Sequence, residues 1–130
     1  GSLYNPDEYI ITSMIARKNL KLLKERFATV RVAFFGHTHS PMIISETSME
    51  TSFRKACVKV ELEPSRHYLI NPGAVGQPRD GDPRASFVVF DVFRWAVEFV
   101  RLEYDIERAQ QAIRFAGLPE ESAGRLALGL

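Results

Sequence analysis

Val32-Ala33-Phe34-Phe35-Gly36-His37-Thr38-His39-Ser40-Pro41 is the stretch on which the reading of this chain turns. Four apolar residues in a row predict a short buried strand, and Gly36 permits a sharp exit from it. Two imidazoles then follow, one residue apart, at the strand mouth. Imidazole is the commonest protein metal ligand, so His37 and His39 are candidate metal ligands. On a straight strand both would share one face and reach one centre. In a loop they can splay towards two adjacent metals. As a bare pair they read equally well as two histidines that bind no metal.

A second segment, from Tyr68-Leu69-Ile70-Asn71 through Pro72-Gly73-Ala74-Val75-Gly76-Gln77-Pro78-Arg79-Asp80-Gly81-Asp82-Pro83-Arg84, repeats the pattern of apolar strand and then loop. Glycine and proline are dense in it, with arginines and aspartates interleaved. Gly73 and Gly76 are candidate substrate-binding positions, because glycine lets backbone N–H groups approach an anion. Arg79 is a candidate catalytic or substrate-binding residue, offering a forked donor to a phosphate. Asp80 or Asp82 could orient it. The competing reading is a rigid loop in which Arg79 and Arg84 pair with Asp80 and Asp82. Asn71 is expected to cap the strand end, and Thr38 and Ser40 to bond within their turn or to fix the imidazoles.

Bulk properties narrow the classes. The chain has 130 residues, 45% of them hydrophobic, with a net charge of +1. That suits one folded domain and gives no strong nucleic-acid signal. No apolar run is long enough to span a membrane. The lone Cys57 cannot form an internal disulfide, which suits a cytoplasmic protein. Cys57 lies on the charged side of the alternating run Lys55–Leu62, so partial exposure is expected.

Local patterns predict a helix over residues 1–28, starting at the Asn5-Pro6-Asp7-Glu8 cap, then mainly antiparallel strands over 29–103, then helices over 104–130. Strands are expected at Val30–Phe35, Met42–Ser45, Phe53–Leu62, His67–Ile70, Ser86–Val92 and Trp95–Leu102. A hairpin turn at residues 46–50 should join the second and third of these. Ile106, Ala109, Ile113 and Ala116 line one helical face that Gly117 ends, and Phe115 lies off it. The lysines and arginine at 18–26 read as a solvated helix face, and His67 as a packed or surface histidine. Phe93, Trp95 and Phe99 read as core.

The segments around His37-Thr38-His39 and Asn71-Pro72-Gly73 together resemble the C-terminal half of the calcineurin-like metallophosphoesterases, in their small bacterial and archaeal branch. The start, Gly1–Pro6, and the tail, Tyr104–Pro119, share the likeness. The resemblance implies an α+β fold, the C-terminal half of a two-sheet β-sandwich flanked by helices. It implies a phosphate mono- or diester substrate hydrolysed by a metal-activated water. It also implies a pair of divalent metals, manganese, iron, zinc or nickel, with His37 on the second and His39 on the first. The family's Asp-x-His, Gly-Asp-x-x-Asp and Gly-Asn-His-Asp/Glu motifs do not occur in this sequence. A further family ligand is a histidine directly before a Gly-Ser pair like Gly1-Ser2, although a cloning scar would show the same two letters. The chain alone is therefore expected to bind metal weakly and to be inactive. The other sheet is expected to come from a missing N-terminal half. The apolar face left open would be covered by that half or by a homo-oligomer partner. The alternatives are a non-catalytic scaffold of the same fold, and a single-metal site built from His37, His39 and a loop aspartate.

Overall fold

In the computed structural model, which describes residues 1–51 and 53–130, the first helix begins later than its cap signal suggests. α1 runs Ser13–Arg26, and the Thr12 hydroxyl accepts its first free N–H, from Ile15 (3.3 Å). The expected start at Asn5 is thus corrected, and residues 1–12 are turns and extended chain. Asn5 uses its side-chain oxygen locally, accepting from the Asp7 N–H (2.9 Å), an alternative to capping a helix. The Ser2 hydroxyl accepts from the N–H groups of Tyr4 and Asn5. The Leu3 N–H donates to the buried Asn19 Oδ1 at 2.6 Å, which lays this segment back along α1.

Seven strands follow: β1 Val32–Phe34, β2 Met42–Ile44, β3 Met49–Glu50, β4 Cys57–Glu61, β5 Tyr68–Asn71, β6 Ala85–Asp91 and β7 Ala96–Leu102. They form two sheets, ordered β1-β5-β2-β3 and β4-β7-β6. Among the described residues only β1 and β5 pair in parallel, and the other pairings are antiparallel. Three helical pieces close the chain: α2 Ile106–Phe115, α3 Glu120–Gly124 and a 3₁₀ turn, Arg125–Ala127. The architecture is α+β with helices outside the strands, as the sequence implies; that both sheets come from this chain is not what it implies. No helix among the described residues is long and apolar enough to cross a membrane.

Two expectations about pairing are corrected. The strand expected over Phe53–Leu62 is β4 alone, Cys57–Glu61, and it does not pair with β2. The partner of β2 is the two-residue β3, through a tight turn in which the Ser45 hydroxyl accepts from the N–H groups of Thr47 and Ser48. The second correction follows from the first. Because β4 crosses over, this chain builds both sheets itself, so its inner sheet face is covered rather than open.

The core records that arrangement. Successive residues of β2 point to opposite sides. Met42 and Ile44 join Leu20, Leu23 and Leu69 under α1. Ile43 joins Phe53, Tyr68, Ile70, Val97 and Phe99 between the sheets, where the Phe53 and Phe99 rings stack at 3.8 Å. β1 is one of the edge strands: among the described residues it pairs only with β5, and Phe34 on it is half exposed. Gly117, at φ +68°, ends α2 as expected, and Phe115 is 91% exposed. Cys57 is exposed, as its place on the charged parity predicts.

Candidate functional site

β1 and β5 lie side by side and in parallel, so the loops after them open at the same end of the sheet. The first carries His37 and His39, the second Asn71–Arg84. Buried contacts fasten the two loops together. The Asn71 side-chain amide donates to Thr38 Oγ1 at 2.7 Å, and Asn71 Oδ1 accepts from the Gly73 N–H at 2.9 Å. Asn71 therefore caps the strand end, as the sequence suggests, and Thr38 serves the loop junction.

Both histidines have left-handed backbone, φ +78° at His37 and +55° at His39. This region is uncommon for side-chain-bearing residues, and such outliers cluster at functional sites. The two rings make different contacts. The His37 ring lies against the Tyr9 ring, centroids 4.0 Å apart. His39 Nδ1 sits 2.8 Å from the Gln77 carbonyl. A carbonyl only accepts, so Nδ1 carries a proton, and in the neutral ring the Nε2 lone pair is left for a ligand. A carbonyl fixing one imidazole nitrogen while the other stays available is the usual support of a metal-binding histidine.

The donor set can be tested against a metal pair. His39 fits, its tautomer already set for ligation, and His37 lies one residue away. The loop aspartates do not fit as ligands. Asp80 faces the Arg101 guanidinium, and Asp82 bonds Arg84 at 2.6 and 3.0 Å. Among the described residues no group of three or more potential ligands converges. The single-metal site with a loop aspartate therefore gains no support.

The structure also re-sorts the loop's charges. The expectation that Asp80 or Asp82 orients Arg79, or pairs with it, is corrected. The Arg79 guanidinium instead donates to Gln77 Oε1 (3.0 Å), while the Arg79 N–H donates to the His39 carbonyl (3.1 Å). Gly73, at φ +87°, has an internal reason to be glycine: a Cβ there would lie 2.6 Å from Ser86 Oγ. Gly76 has open space around it. His67 lies away from this end. Its Nε2 accepts from Arg31 (2.9 Å) and it is 2% exposed, a packed histidine.

Three contributors went unread in the sequence. Tyr9 gave no signal, since it is distant along the chain. Gln77 acts through its main chain. Arg101 was legible: it shares the inward parity of Val97 and Phe99 on β7. An arginine at such a position demands a buried partner.

Asp82 gives a pH-dependent handle on this loop. The hydrogen bonds from Arg84 hold its carboxyl down at about 2, against 3.8 ordinarily; burial opposes them, and the Arg101 charge assists. A lowered carboxyl stabilises the fold fully above 3.8, and that contribution fades as pH falls through 2. It amounts to about 2 kcal/mol at neutral pH. The gap in thermal midpoint between the wild type and Asp82→Asn is expected to narrow from pH 5 to pH 2. A pH-independent gap would show that the carboxylate charge is not what holds the loop.

Comparison with known proteins agrees with this geometry. Residues 9–94 match the model of the calcineurin-like phosphoesterase superfamily domain. A metallophosphoesterase from Sphaerobacter thermophilus superposes on the entire chain with a TM-score of 0.88 at 39% identity, over 53% of its own length. A hypothetical protein from Pyrococcus horikoshii shares the fold, with a TM-score of 0.65 at 22% identity, across 97% of this chain and 43% of its own. An uncharacterized protein of Methanocaldococcus jannaschii is 45% identical over 96 residues, 74% of this chain and 38% of the relative. The chain thus spans about half, or less, of the length of these relatives.

Proposed function

The chain belongs to the calcineurin-like phosphoesterase superfamily, and on that premise we propose that it is the C-terminal part of a dinuclear, metal-dependent phosphoesterase. The observation that carries the reading is His39, whose Nδ1 is held by the Gln77 carbonyl so that Nε2 is presented as a ligand. His37 and His39 would hold one metal each. When bound, such metals polarise phosphoryl oxygens and lower the pKa of a coordinated water.

The chain's own residues prepare that chemistry. Tyr9 limits the swing of the His37 ring, and the clamp from Asn71 to Thr38 keeps the two loops in register. Arg79, anchored on Gln77, offers its remaining donors to a phosphate. Gly76 leaves its backbone open to the same group.

Two neutral imidazoles cannot balance two divalent ions, so carboxylates must come from elsewhere. The open edge of β1, next to the histidine loop, is where further strands would bring them. The remaining part of a longer chain suits that place, since the relatives are about twice as long or more.

Chelator-sensitive hydrolysis of p-nitrophenyl phosphate and its bis ester tests the proposal. The 130-residue chain should be inactive, and the same chain extended by its upstream coding sequence should be active. Activity of the short chain would favour the single-metal site. Inactivity of both forms would favour the non-catalytic scaffold.

A further inference from the structure

Among the described residues five of the twelve arginines face carboxylates, three of them on the surface: Arg66 with Glu63, Arg94 with Asp91, Arg114 with Glu120. Arg79 and Arg125 do not, among the described residues. Asp80 and Asp82, the acids nearest Arg79 in sequence, are held by Arg101 and Arg84. Both unpaired guanidinium groups line one open groove of about 580 Å³, with Leu128 and Leu130 as its apolar surface and Glu121 at its side. Its lining side chains carry two guanidinium groups and one carboxylate.

The groove adjoins the histidine loop. Gln77 holds the His39 ring through its carbonyl and the Arg79 guanidinium through its side chain. The opposite wall is fastened to the same loop, because the Gly81 N–H donates to the Gly129 carbonyl at 3.0 Å. Gly129 has φ +66°, and a Cβ there would lie 2.7 Å from the Asp82 nitrogen. The walls are therefore held together.

We propose that this groove receives the leaving group of the phosphoester, and that Arg79 and Arg125 select leaving groups bearing a second phosphate on an apolar ring. The inference rests on the phosphoesterase reading of His37 and His39. A guanidinium fork matches a phosphate in two hydrogen bonds, and a ring can lie against the two leucines. A leaving group without its own anion would leave both arginines unmatched.

Calorimetry in the presence of chelator reads binding without turnover. The probes are phenyl phosphate and hydroquinone bisphosphate, which differ in the second phosphate. The wild-type chain is expected to favour the bisphosphate by at least about 10-fold. Arg125→Ala should abolish most of that preference and Arg125→Lys retain part of it. Arg108→Ala, which removes the same charge from the exposed face of α2, should keep it. An equal ratio in the wild type and Arg125→Ala, or no preference in the wild type, overturns the assignment. Hydrolysis of both probes by the extended protein without a binding preference would defeat the groove alone. A preference lost in Arg125→Ala, with neither probe hydrolysed, would uphold the anion groove and defeat the phosphoesterase reading.

Discussion

His39→Ala in the extended protein is expected to drop bound metal from two ions per chain to one, and kcat/KM by at least about 100-fold. The folded state should barely register the change. Alanine at φ +55° is no less strained than histidine, and the Nδ1 bond to Gln77 is worth about 1 kcal/mol. His39→Asn sharpens the test, because asparagine tolerates left-handed backbone well. It should match or exceed the stability of the alanine variant while losing as much metal. A histidine that is merely structural behaves in the opposite way, losing stability in both variants and leaving metal content at two. Metal analysis after gel filtration, paired with a thermal melt of the same sample, separates these outcomes. Retention of two metals in His39→Ala would remove the observation on which the proposed function stands.

The contrast between what the sequence announces and what it conceals follows from how each feature is encoded. Val32–Phe35 and Tyr68–Asn71 read directly as strands because they are short continuous apolar runs; β5 is buried throughout, whereas β1 lies at an edge with Phe34 half exposed. The loops after them read directly too, through glycine, proline and histidine. The two-sheet topology did not. β4 has one wet face and fits either sheet by its alternation, and nothing local says that it pairs with β7 across the intervening residues 62–95 instead of with β2. A two-residue strand such as β3 is too short for any periodicity to show. The start of α1 was misplaced because Asn5-Pro6 is chemically both a cap and a turn. The choice was made by Asn19, whose buried amide holds the Leu3 N–H. In the site, the histidines were evident from residue type, but the charge pairing was not. Arg79, Asp80, Asp82 and Arg84 are adjacent in sequence, and a fifth residue, Arg101, took the aspartate that proximity would have given to Arg79.

That fifth residue is expected to carry a large stability effect. The Arg101 side chain is 1% exposed, and its Nε donates to the Phe53 carbonyl at 3.0 Å. Its Nη atoms face both oxygens of Asp80, and Nη1 also reaches the Arg84 carbonyl at 3.5 Å. Arg101→Ala would strand the largely buried Asp80 carboxylate and the Phe53 carbonyl together. Removing one partner of a buried pair costs about 3–5 kcal/mol, because the other charge stays desolvated. For a domain of this length that is a fall in Tm of roughly 10–20 °C. Asp80→Asn alone should cost less, since an amide still accepts from the guanidinium. In the double variant Arg101→Met, Asp80→Leu, both charges leave and apolar side chains of similar size replace them, so much of the loss should return. Arg101→Met alone fills the space but leaves Asp80 unpaired, so recovery in the double variant beyond that of Arg101→Met separates a stranded charge from a simple cavity. A loss below about 1 kcal/mol in Arg101→Ala would mean that water reaches the pair. The same network sets Asp80 beside Arg79 and Gly81, the points where the loop meets His39 and the C-terminal turn. A destabilised Arg101 variant should therefore also lose its preference for the bisphosphate, even at temperatures where it remains folded.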